Sequence, residues 1–467
     1  MNSIGIIGMA VMGQNLALNI ADNEYKVAIY NRSREKTEEF VNVNPHQNIS
    51  PYYDLNDFVQ SLDIPRKILL MIKSGKPVDD QIRDLTSILD ENDLIIDGGN
   101  SHYKDTERRY LELSKKKIHF IGAGISGGED GARYGPSIMP GGSILGWATI
   151  EKLFLKTAAK ADDGTACCTW LGPGGAGHFV KMVHNGIEYG DMQLISEIYQ
   201  IMRDVLKISY SKMADIFRNW NKTKLNSYLI EITGYILQKK DDKTGKYLVS
   251  QVLDVAKQKG TGRWTVEAGL DYSETLSLIA QAVFQRTLSS NKEIRKNASR
   301  KFITKIKNIK LDNEEVILKL ENALYLSKIL SYAQGFQLLK KASEVNTWGY
   351  QLSSIASIWQ NGCIIRSSFL GEITQAYKNN IELENLIFAP YFNKEIEKYI
   401  DDLREIAILG INNEISVPGL SSALTYFDGL KTINLPTNLI QAQRDFFGAH
   451  GYQRIDDINH SFHSNWK

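Results

Sequence analysis

Short apolar runs and stretches with helical spacing alternate along the first part of the chain. The apolar runs cover residues 4–8, 26–30, 67–72, 94–97 and 118–122, and the helical patterns between them include 77–89 and 105–113. This alternation is typical of a doubly wound sheet of parallel strands with helices on both faces. Ligands bind such sheets at the carboxyl ends of the strands, so we expect the loops there to carry the chemistry.

The pattern changes near residues 172–177. Seven of the ten prolines lie at or before Pro173, and long segments with helical spacing follow. These segments span residues 179–206, 222–237, 272–288, 314–342 and 352–360. Scarce proline and a helical period predict a mostly helical second domain. The stretch from Leu435 combines a helical part, a glycine break and several aromatic residues, so we expect it to dock on a partner subunit.

A tight turn follows the first apolar run and precedes a helical pattern. Its small residues, Gly8, Ala10 and Gly13, would let backbone approach a pyrophosphate, and the helix N-terminus would favour the negative charge. We therefore predict an α/β Rossmann-like coenzyme domain over residues 1–176. A large all-α domain should follow over 177–434, and a C-terminal tail over 435–467.

The end of the second apolar run bears on the choice of coenzyme. An acidic residue there would hold the ribose of NAD, but the chain has Asn31, Arg32 and Ser33, with no acid before Glu35. A guanidinium with amide and hydroxyl groups suits the 2′-phosphate of NADP. The alternative is a charged loop that merely starts the next helix.

Three polar loops follow later strands, at residues 73–75, 97–101 and 122–129. The last opens a stretch with nine glycines between Gly122 and Gly146. Such density suits backbone that lies close to a ligand, and a set of tight turns is the alternative.

The segment 177–191 carries the candidate catalytic groups. Lys181, His184, Asn185 and Glu188 share one helical face, with apolar residues behind them. Lys181 and Glu188 would lie about 10 Å apart along the axis, enough for a small substrate between a base and an acid. The alternative is a partly buried helix with an incidental polar face. Downstream, the basic loop 258–264 and Arg286 could hold an anion.

Composition excludes several classes of protein. A net charge of +1 with 43% apolar and 23% charged residues argues against a general nucleic-acid or membrane-surface binder. One basic run, residues 292–310, predicts a solvated face. Three cysteines form no disulfide framework, and a strand from Ile4 leaves no room for a leader, so we expect a cytoplasmic protein. The histidines lack ligand spacing, so we expect no metal.

Several long motifs together resemble the 6-phosphogluconate dehydrogenase family of NADP-dependent, decarboxylating β-hydroxyacid dehydrogenases. They include I-G-I-I-G-M-A-V-M-G-Q-N-L, I-I-D-G-G-N-S, G-I-S-G-G-E-D-G-A-R-Y-G-P-S-I-M-P-G-G, H-F-V-K-M-V-H-N-G-I-E-Y-G-D-M-Q-L, Q-K-G-T-G-R-W-T and Q-A-Q-R-D-F-F-G-A-H. The resemblance covers nearly the whole chain. It implies oxidative decarboxylation of 6-phosphogluconate to ribulose 5-phosphate in the pentose phosphate pathway, by a homodimer.

The resemblance also implies roles for individual residues. NADP would contact Gly8, Met9, Ala10, Val11, Met12, Gly13, Asn31, Arg32, Ser33, Ile72, Lys73, Ser74 and Asn100. The substrate would contact Asn100, Ser126, Gly127, Gly128, His184, Asn185, Tyr189, Lys259, Thr261 and Arg286, with Arg444 and His450 supplied by the other subunit. Lys181 would be the general base and Glu188 the acid that protonates the enediol. Ser33 and Ser74 replace the usual threonine and alanine, and Ser33 keeps the hydroxyl that a 2′-phosphate needs.

One difficulty concerns Lys181, because a free lysine has a pKa of about 10.4 and would be protonated near neutral pH. Burial or a nearby cation would lower that pKa, and Lys259, Arg286 and Arg444 are the candidate cations. Two rival functions stay open. One is a β-hydroxyacid dehydrogenase for a short substrate without phosphate, and the other is an NADP-sensing regulatory protein on the same fold.

Overall fold

Strands and helices alternate through the first third of the chain. The computed structural model describes residues 1–307 and 312–467. The strands of this part are β1 (Ile4–Ile7), β2 (Val27–Tyr30), β3 (Ile49–Tyr52), β4 (Lys67–Leu70), β5 (Leu94–Asp97), β6 (His119–Ile125) and β7 (Ile138–Gly142). The helices are α1 (Val11–Asp22), α2 (Arg34–Val43), α3 (Leu55–Gln60), α4 (Lys76–Thr86), α5 (Tyr103–Ser114), α6 (Gly128–Tyr134) and α7 (Ile144–Thr157).

These strands form one sheet in the order β3-β2-β1-β4-β5-β6-β7. The strands from β1 to β6 pair in parallel, which confirms the Rossmann-like prediction. The sheet is nevertheless mixed, because β7 pairs antiparallel to β6, with Ala123 opposite Pro140. The sequence predicted the parallel strands but did not predict β7, which adds this antiparallel edge. The segment Pro140–Gly142 has little strand propensity, so its pairing with β6 is a tertiary effect.

Helices build the second part of the chain. They are α8 (Ala176–Gln200), α9 (Tyr210–Trp220), α10 (Tyr228–Gln238), α11 (Thr261–Asp271), α12 (Ser277–Ser290), α13 (Lys292–Lys301), α14 (Asn313–Asn346), α15 (Leu352–Ile358), α16 (Leu370–Asn379), α17 (Pro390–Asn412) and α18 (Pro418–Leu430). A π-helical turn, Ile201–Val205, continues α8. Helices α8 and α14 pack together at the centre of the largest apolar core, and both are buried for most of their length.

Two predicted helices begin later than expected. The prediction for 222–237 was wrong at its start, because Asn221 accepts from the Ser227 amide and holds a turn before α10. The prediction for 272–288 was wrong in the same way. There, Tyr272 ends α11, and Ser273 has a φ of 58°, which breaks the helix.

Three of the nine glycines between Gly122 and Gly146 allow α8 to lie against the sheet, namely Gly122, Gly124 and Gly141. A Cβ added at Gly141 would overlap the backbone of Gly177, and one at Gly124 would overlap the side chain of Lys181. The close approach sets the position of α8, whose preceding Gly175 amide donates to Glu107 at 2.8 Å. Gly127 and Gly128 instead line a cleft, so backbone close to a ligand stays a prediction for that part of the stretch.

The tail folds on itself. It contains α19 (Thr437–Gly448), β8 (Tyr452–Arg454) and β9 (Asp457–Phe462), and the two strands form a hairpin. The buried carboxylate of Asp445 connects α19 to both ends of this hairpin. It accepts hydrogen bonds from the amides of Gly451 and Ser464 and from Trp466 Nε1. Several apolar side chains of α19 stay exposed, including Leu439 at 62% and Phe447 at 72%.

Three further sequence expectations concern the surface and the cysteines. All three cysteines are free and buried. Within the described ranges, no helix is long and apolar enough to cross a bilayer. In the basic run 292–310, helix α13 has no buried residue, and residues 308–310 lie outside the described part of the chain.

Candidate active site

A cleft of about 590 Å³ opens between the carboxyl ends of the strands and the helical domain. Its walls are formed by Met12, Asn100, Ile125, Ser126, Gly127, Gly128, Lys181, Asn185, Glu188, Tyr189, Met192, Lys257, Gln258, Lys259, Thr261, Arg286 and Ile364. Most of the predicted catalytic and substrate residues thus line one space. Ile125, Met192, Lys257 and Ile364 were not predicted, because apolar and flanking side chains carry no chemical signal in the sequence.

Lys181 enters the cleft from the buried side of α8. Its side chain crosses Gly124 of β6 and is only 6% exposed. Burial lowers the pKa of Lys181 below its usual value, and the negative charge of Glu188 opposes this shift. Of the two causes that the sequence left open, burial is thus the one that lowers this pKa, and Lys259, Arg286 and Arg444 are not among its causes. A buried lysine of this kind is more easily neutral, as a general base must be.

Glu188 shows the opposite shift. Burial raises the pKa of this carboxyl group, the charges of Lys181 and Arg286 oppose the rise, and that of Asp191 adds to it. The lysine and the glutamate are thus both displaced toward their neutral forms. A neutral amine and a neutral carboxyl are the states that a base and an acid require.

His184 and Asn185 lie between these two groups along α8. The ring of His184 is fully buried against Trp359, and its Nε2 lies 3.2 Å from Ser126 Oγ. Burial holds the pKa of His184 well below its ordinary value, so the ring is neutral. Among residues 1–307 and 312–467, neither His184 Nδ1 nor Asn185 Oδ1 has a hydrogen-bond partner. Unpaired buried polar atoms of this kind fit a ligand rich in hydroxyl groups.

The far end of the cleft is positively charged. The Arg286 guanidinium stacks on the ring of Tyr189 at 3.5 Å and donates to the Lys257 carbonyl. Lys259 and Thr261 lie beside them, where α11 begins. A guanidinium, an ammonium and a helix N-terminus together suit a phosphate group.

The coenzyme turn between β1 and α1 is tightly built. Gly8 has a φ of 107°, and a Cβ at Gly13 would overlap the Gly8 carbonyl, so both positions need glycine. The Met9 amide donates to Asn31 Oδ1 at 3.1 Å, which ties this turn to the end of β2. Ala10 and Val11 begin α1 next to them, and Met12 reaches the cleft.

The two arginines after β2 differ in their contacts. Arg34 pairs with Glu38 at 2.8 Å and stacks on Tyr53 at 4.5 Å. Arg32 is exposed and makes no side-chain hydrogen bond or ion pair within the part of the chain that the structure describes. Ser33 is exposed at the start of α2. Arg32 and Ser33 are thus free to meet a phosphate on the ribose.

The loops after β4 and β5 complete the coenzyme edge. Ile72 and Ser74 are partly exposed there and Lys73 is exposed, and Asn100 reaches the cleft. A buried pair holds the second loop, because Asp97 accepts from Ser101 Oγ at 2.6 Å and from Arg109 Nη1 at 3.2 Å. Sequence reasoning missed Arg109, since a contact between distant elements leaves no local pattern.

Arg444 and His450 do not line this cleft. Both are exposed in the tail, where Arg444 donates to Gln441 and His450 packs on Phe447. The single chain therefore brings together the cleft residues but not these two. Within the described ranges, no group of three or more His, Cys, Asp or Glu side chains could hold a metal ion.

Comparisons with known proteins cover almost the entire chain. Residues 177–466 match the family profile of the 6-phosphogluconate dehydrogenase C-terminal domain, and residues 3–172 match that of the NAD binding domain of 6-phosphogluconate dehydrogenase. The decarboxylating 6-phosphogluconate dehydrogenase of Shigella flexneri is 50% identical over 463 residues, 99% of this chain and 98% of that protein. Its counterpart from Staphylococcus epidermidis is 49% identical over the same shares.

A solved structure agrees with these relatives. The 6-phosphogluconate dehydrogenase of Plasmodium falciparum has been determined in its apo form, with its cofactor NADP+ and with its substrate 6-phosphogluconate. It superposes on this chain with a TM-score of 0.95 at 43% identity, covering 99% of this chain and 100% of that one.

Proposed function

The chain belongs to the 6-phosphogluconate dehydrogenase family, and from that premise we propose that it converts 6-phospho-D-gluconate and NADP to D-ribulose 5-phosphate, carbon dioxide and NADPH. One observation carries this proposal most directly. Lys181 and Glu188 face a single cleft, and burial shifts the pKa of each toward its neutral form. A base and an acid in one water-poor site are what the two proton transfers of this reaction need.

NADP fits the edge of the sheet beside this cleft, where it would supply the hydride acceptor. The turn Gly8–Gly13 leaves no room for side chains at its two glycines, so backbone can lie close to a pyrophosphate. Asn31, Arg32 and Ser33 would hold the 2′-phosphate. Lys73 and Asn100 would contact the coenzyme from the next loops.

Lys181 acts first in the proposed mechanism. As a neutral amine it removes the proton of the C3 hydroxyl while the C3 hydride leaves for the nicotinamide ring. The product is a β-keto acid. Lys181, now an ammonium, then returns a proton to the ketone oxygen as the carboxylate departs as carbon dioxide, so the electron pair of the broken bond forms an enediol.

Glu188 completes the reaction. As a neutral carboxyl group it protonates C1 of the enediol, while Lys181, neutral again after the decarboxylation, takes the proton of the C2 hydroxyl, which gives the ketose product. Ser126, His184 and Asn185 would hold the hydroxyl groups of the sugar chain, with Asn100, Gly127 and Gly128 beside its reacting end. Tyr189, Lys259, Thr261 and Arg286 would hold the phosphate.

The tail completes the site from a second subunit in this proposal. Arg444 and His450 are exposed in the single chain, and α19 exposes apolar residues such as Leu439 and Phe447 that a homodimer would bury. The three-part division at residues 176 and 434 belongs to the same proposal. So do the cytoplasmic location and the place in the oxidative pentose phosphate pathway.

An assay of NADPH absorbance and carbon dioxide release tests the reaction. We expect both products with 6-phosphogluconate and NADP, and little turnover of 3-hydroxyisobutyrate at equal concentration. Faster turnover of 3-hydroxyisobutyrate would favour the short-substrate dehydrogenase, whose substrate has no phosphate for Lys259 and Arg286 to hold. Binding of NADP without NADPH formation would favour a regulatory protein.

The role of Glu188 has its own test. In Glu188→Gln we expect exchange of the C1 proton of ribulose 5-phosphate to fall by about 100-fold or more, the typical contribution of a positioned acid. Oxidation of 6-phosphogluconate should fall less. Equal losses in the two reactions would remove the separate role of Glu188.

A further inference from the structure

A buried ion pair joins α8 to α14 close to the cleft. Asp191 Oδ2 lies 3.0 Å from Lys328 Nζ, and neither side chain reaches solvent. The Tyr332 hydroxyl lies 3.4 Å from the same oxygen and donates to the Ile365 carbonyl at 2.7 Å. The other carboxylate oxygen, Asp191 Oδ1, is buried without a hydrogen-bond partner among the described residues. Neither charged residue lines the cleft itself.

Packing alone does not account for this pair. Moving two charges out of water costs much of what their attraction returns, and apolar side chains of similar size commonly stabilise a core as well. Leucines fill nearby positions on both helices, such as Leu194 and Leu330, which are fully buried. Here an ion pair stands where leucines would fit, and one oxygen of Asp191 has no partner in the described part of the chain. This arrangement suggests that the pair acts on a neighbouring group of the cleft.

The neighbour that matters is Glu188. Asp191 follows it by three residues, so the two carboxyl groups lie about one turn apart on α8. Burial raises the pKa of Glu188 most, and the negative charge of Asp191 adds to that rise. Burial also raises the pKa of Asp191 itself, and the charge of Lys328 at 3.0 Å opposes that rise.

The other titratable groups around Glu188 include Lys181 and His184 on α8, with His184 Nδ1 at 3.9 Å, and Arg286 on α12. Burial raises the pKa of the Cys363 thiol most, and the charge of Glu188 is near enough to add to that rise. From α14, Lys328 and Tyr332 contact Asp191.

We propose that Asp191, held as a carboxylate by Lys328, is a positioning residue whose buried negative charge keeps Glu188 protonated for proton delivery to C1. This inference rests on the acid role of Glu188 proposed above. Asp191 touches neither substrate nor coenzyme and acts only through Glu188. Lys328 opposes the cost of a negative charge in the core. The Tyr332 hydroxyl donates to the Ile365 carbonyl and so ties α14 to the residue next to Ile364 on the cleft wall.

The test compares Asp191→Asn with a control on the same helix. Glu197 is also a buried carboxylate of α8, about two and a half turns beyond Glu188, where it accepts from the amides of Gly419 and Leu420. Burial raises the pKa of Glu197 to about 7. Glu197→Gln therefore removes a second buried carboxyl group of α8, ionised above that pH, that lies too far along the helix to change the field at Glu188 much. Thermal unfolding establishes that each variant is folded before its kinetics are measured.

The readout is the limb of the kcat–pH profile that Glu188→Gln abolishes. In Asp191→Asn we expect this limb to move about one pH unit lower and kcat near neutral pH to fall about tenfold. KM for 6-phosphogluconate should stay within about twofold, because the residue does not bind substrate. Glu197→Gln should leave the limb in place. The double variant Asp191→Asn/Lys328→Met should shift it in the same direction but less, since no unpaired ammonium remains.

Each outcome of these experiments supports or overturns the inference. A limb that stays in place in folded Asp191→Asn or in the double variant overturns the inference, and so does failure of both variants to fold, which would make the pair structural. If Glu188→Gln leaves both limbs intact and keeps C1 exchange, the acid role of Glu188 itself fails. If Glu188→Gln removes a limb that the double variant does not move, only the role of Asp191 fails.

Discussion

The polar groups of the cleft on α8 and those of the tail on α19 differ in their exposure to solvent. Lys181 and His184 are buried, whereas Arg444 and His450 are exposed on a segment that displays apolar residues. The buried groups are those to which the mechanism assigns proton transfer and close contact with the sugar chain. One chain therefore shifts the pKa values of the proposed catalytic pair by itself, whereas Arg444 and His450 lie outside its cleft.

Burial is what shifts the two proposed catalytic groups toward their neutral forms. It lowers the pKa of Lys181 and raises that of Glu188, so the two values approach one another. Each pH unit by which the gap between them shrinks raises the fraction of the neutral lysine–neutral glutamate form about tenfold. The glycines of β6 and β7 contribute to this effect, because they let α8 press these side chains into the interior.

The tail is preorganised in a different sense. Asp445 ties the hairpin to α19 through several hydrogen bonds, so Arg444 and His450 are held on a folded unit rather than on a loose chain. A unit that is already folded loses less conformational entropy when it docks.

The largest effect should follow a change on the buried side. Lys181→Met should reduce NADPH formation by about 10²- to 10⁴-fold, because the general base is lost. Coenzyme binding, followed by fluorescence titration, should persist. Lys257→Met, which alters another lysine of the cleft, should lose less than about tenfold. A Lys181→Met enzyme that keeps turnover within tenfold of the unaltered chain would show that Lys181 is not the base.

On the exposed side, Arg444→Ala should raise KM for 6-phosphogluconate by about 100-fold, with kcat changed less, because a charge-assisted contact to an anion is removed. Arg454→Ala is the matched control, since Arg454 also belongs to the tail but pairs with Asp456. Steady-state kinetics on both variants decides the matter. Equal, small changes in the two would deny Arg444 a place in the site.

A smaller effect is expected at the coenzyme edge. Arg32→Ala should raise KM for NADP about tenfold and leave weak turnover with NAD unchanged, since only NADP carries the 2′-phosphate. Arg34→Ala should have less effect, because that guanidinium is already engaged by Glu38 and Tyr53. If Arg34→Ala weakens NADP binding more than Arg32→Ala does, the assignment is reversed.

The smallest effect concerns stability. Burial lowers the pKa of His178 and His184, so in the folded chain they resist protonation that the unfolded chain accepts below about pH 6.5. The melting temperature should therefore fall as pH drops below that value, with each histidine contributing up to about 1.4 kcal/mol per pH unit. His178→Gln should flatten this dependence, whereas replacement of the exposed His460 should not. A profile that His178→Gln leaves unaltered would exclude this contribution.

Local chemistry explains which parts of the fold could be predicted from the sequence. The turn at Gly8–Gly13 and the face of α8 follow from residue spacing alone. Strand β3 was missed because it is a short edge strand that contains Pro51, and β7 because its glycines and proline favour no strand. Both form through pairing with a neighbouring strand.

The same holds for the candidate site. Lys181, Glu188 and Arg286 were predicted from residue type and position, and the motifs of the family named the others. The contacts of Asp97 with Arg109 and of Asp191 with Lys328 join distant elements, so no local pattern reveals them. The pKa of Lys181 also depends on tertiary burial, so the sequence left burial and neighbouring cations open as its cause.

Mixing Lys181→Met and Arg444→Ala chains, assayed at a 6-phosphogluconate concentration at which the raised KM of Arg444→Ala leaves it nearly inactive, tests most directly whether each tail completes the partner's cleft. Lys181→Met and Arg444→Ala chains are unfolded, refolded together and assayed for NADPH formation with 6-phosphogluconate. If each tail serves the partner's cleft, half of the dimers are hybrids with one intact site, and activity should return to about a quarter of the unaltered level. If activity does not rise above that of the separate variants while size measurements show dimers, the tail does not cross, and the account is contradicted.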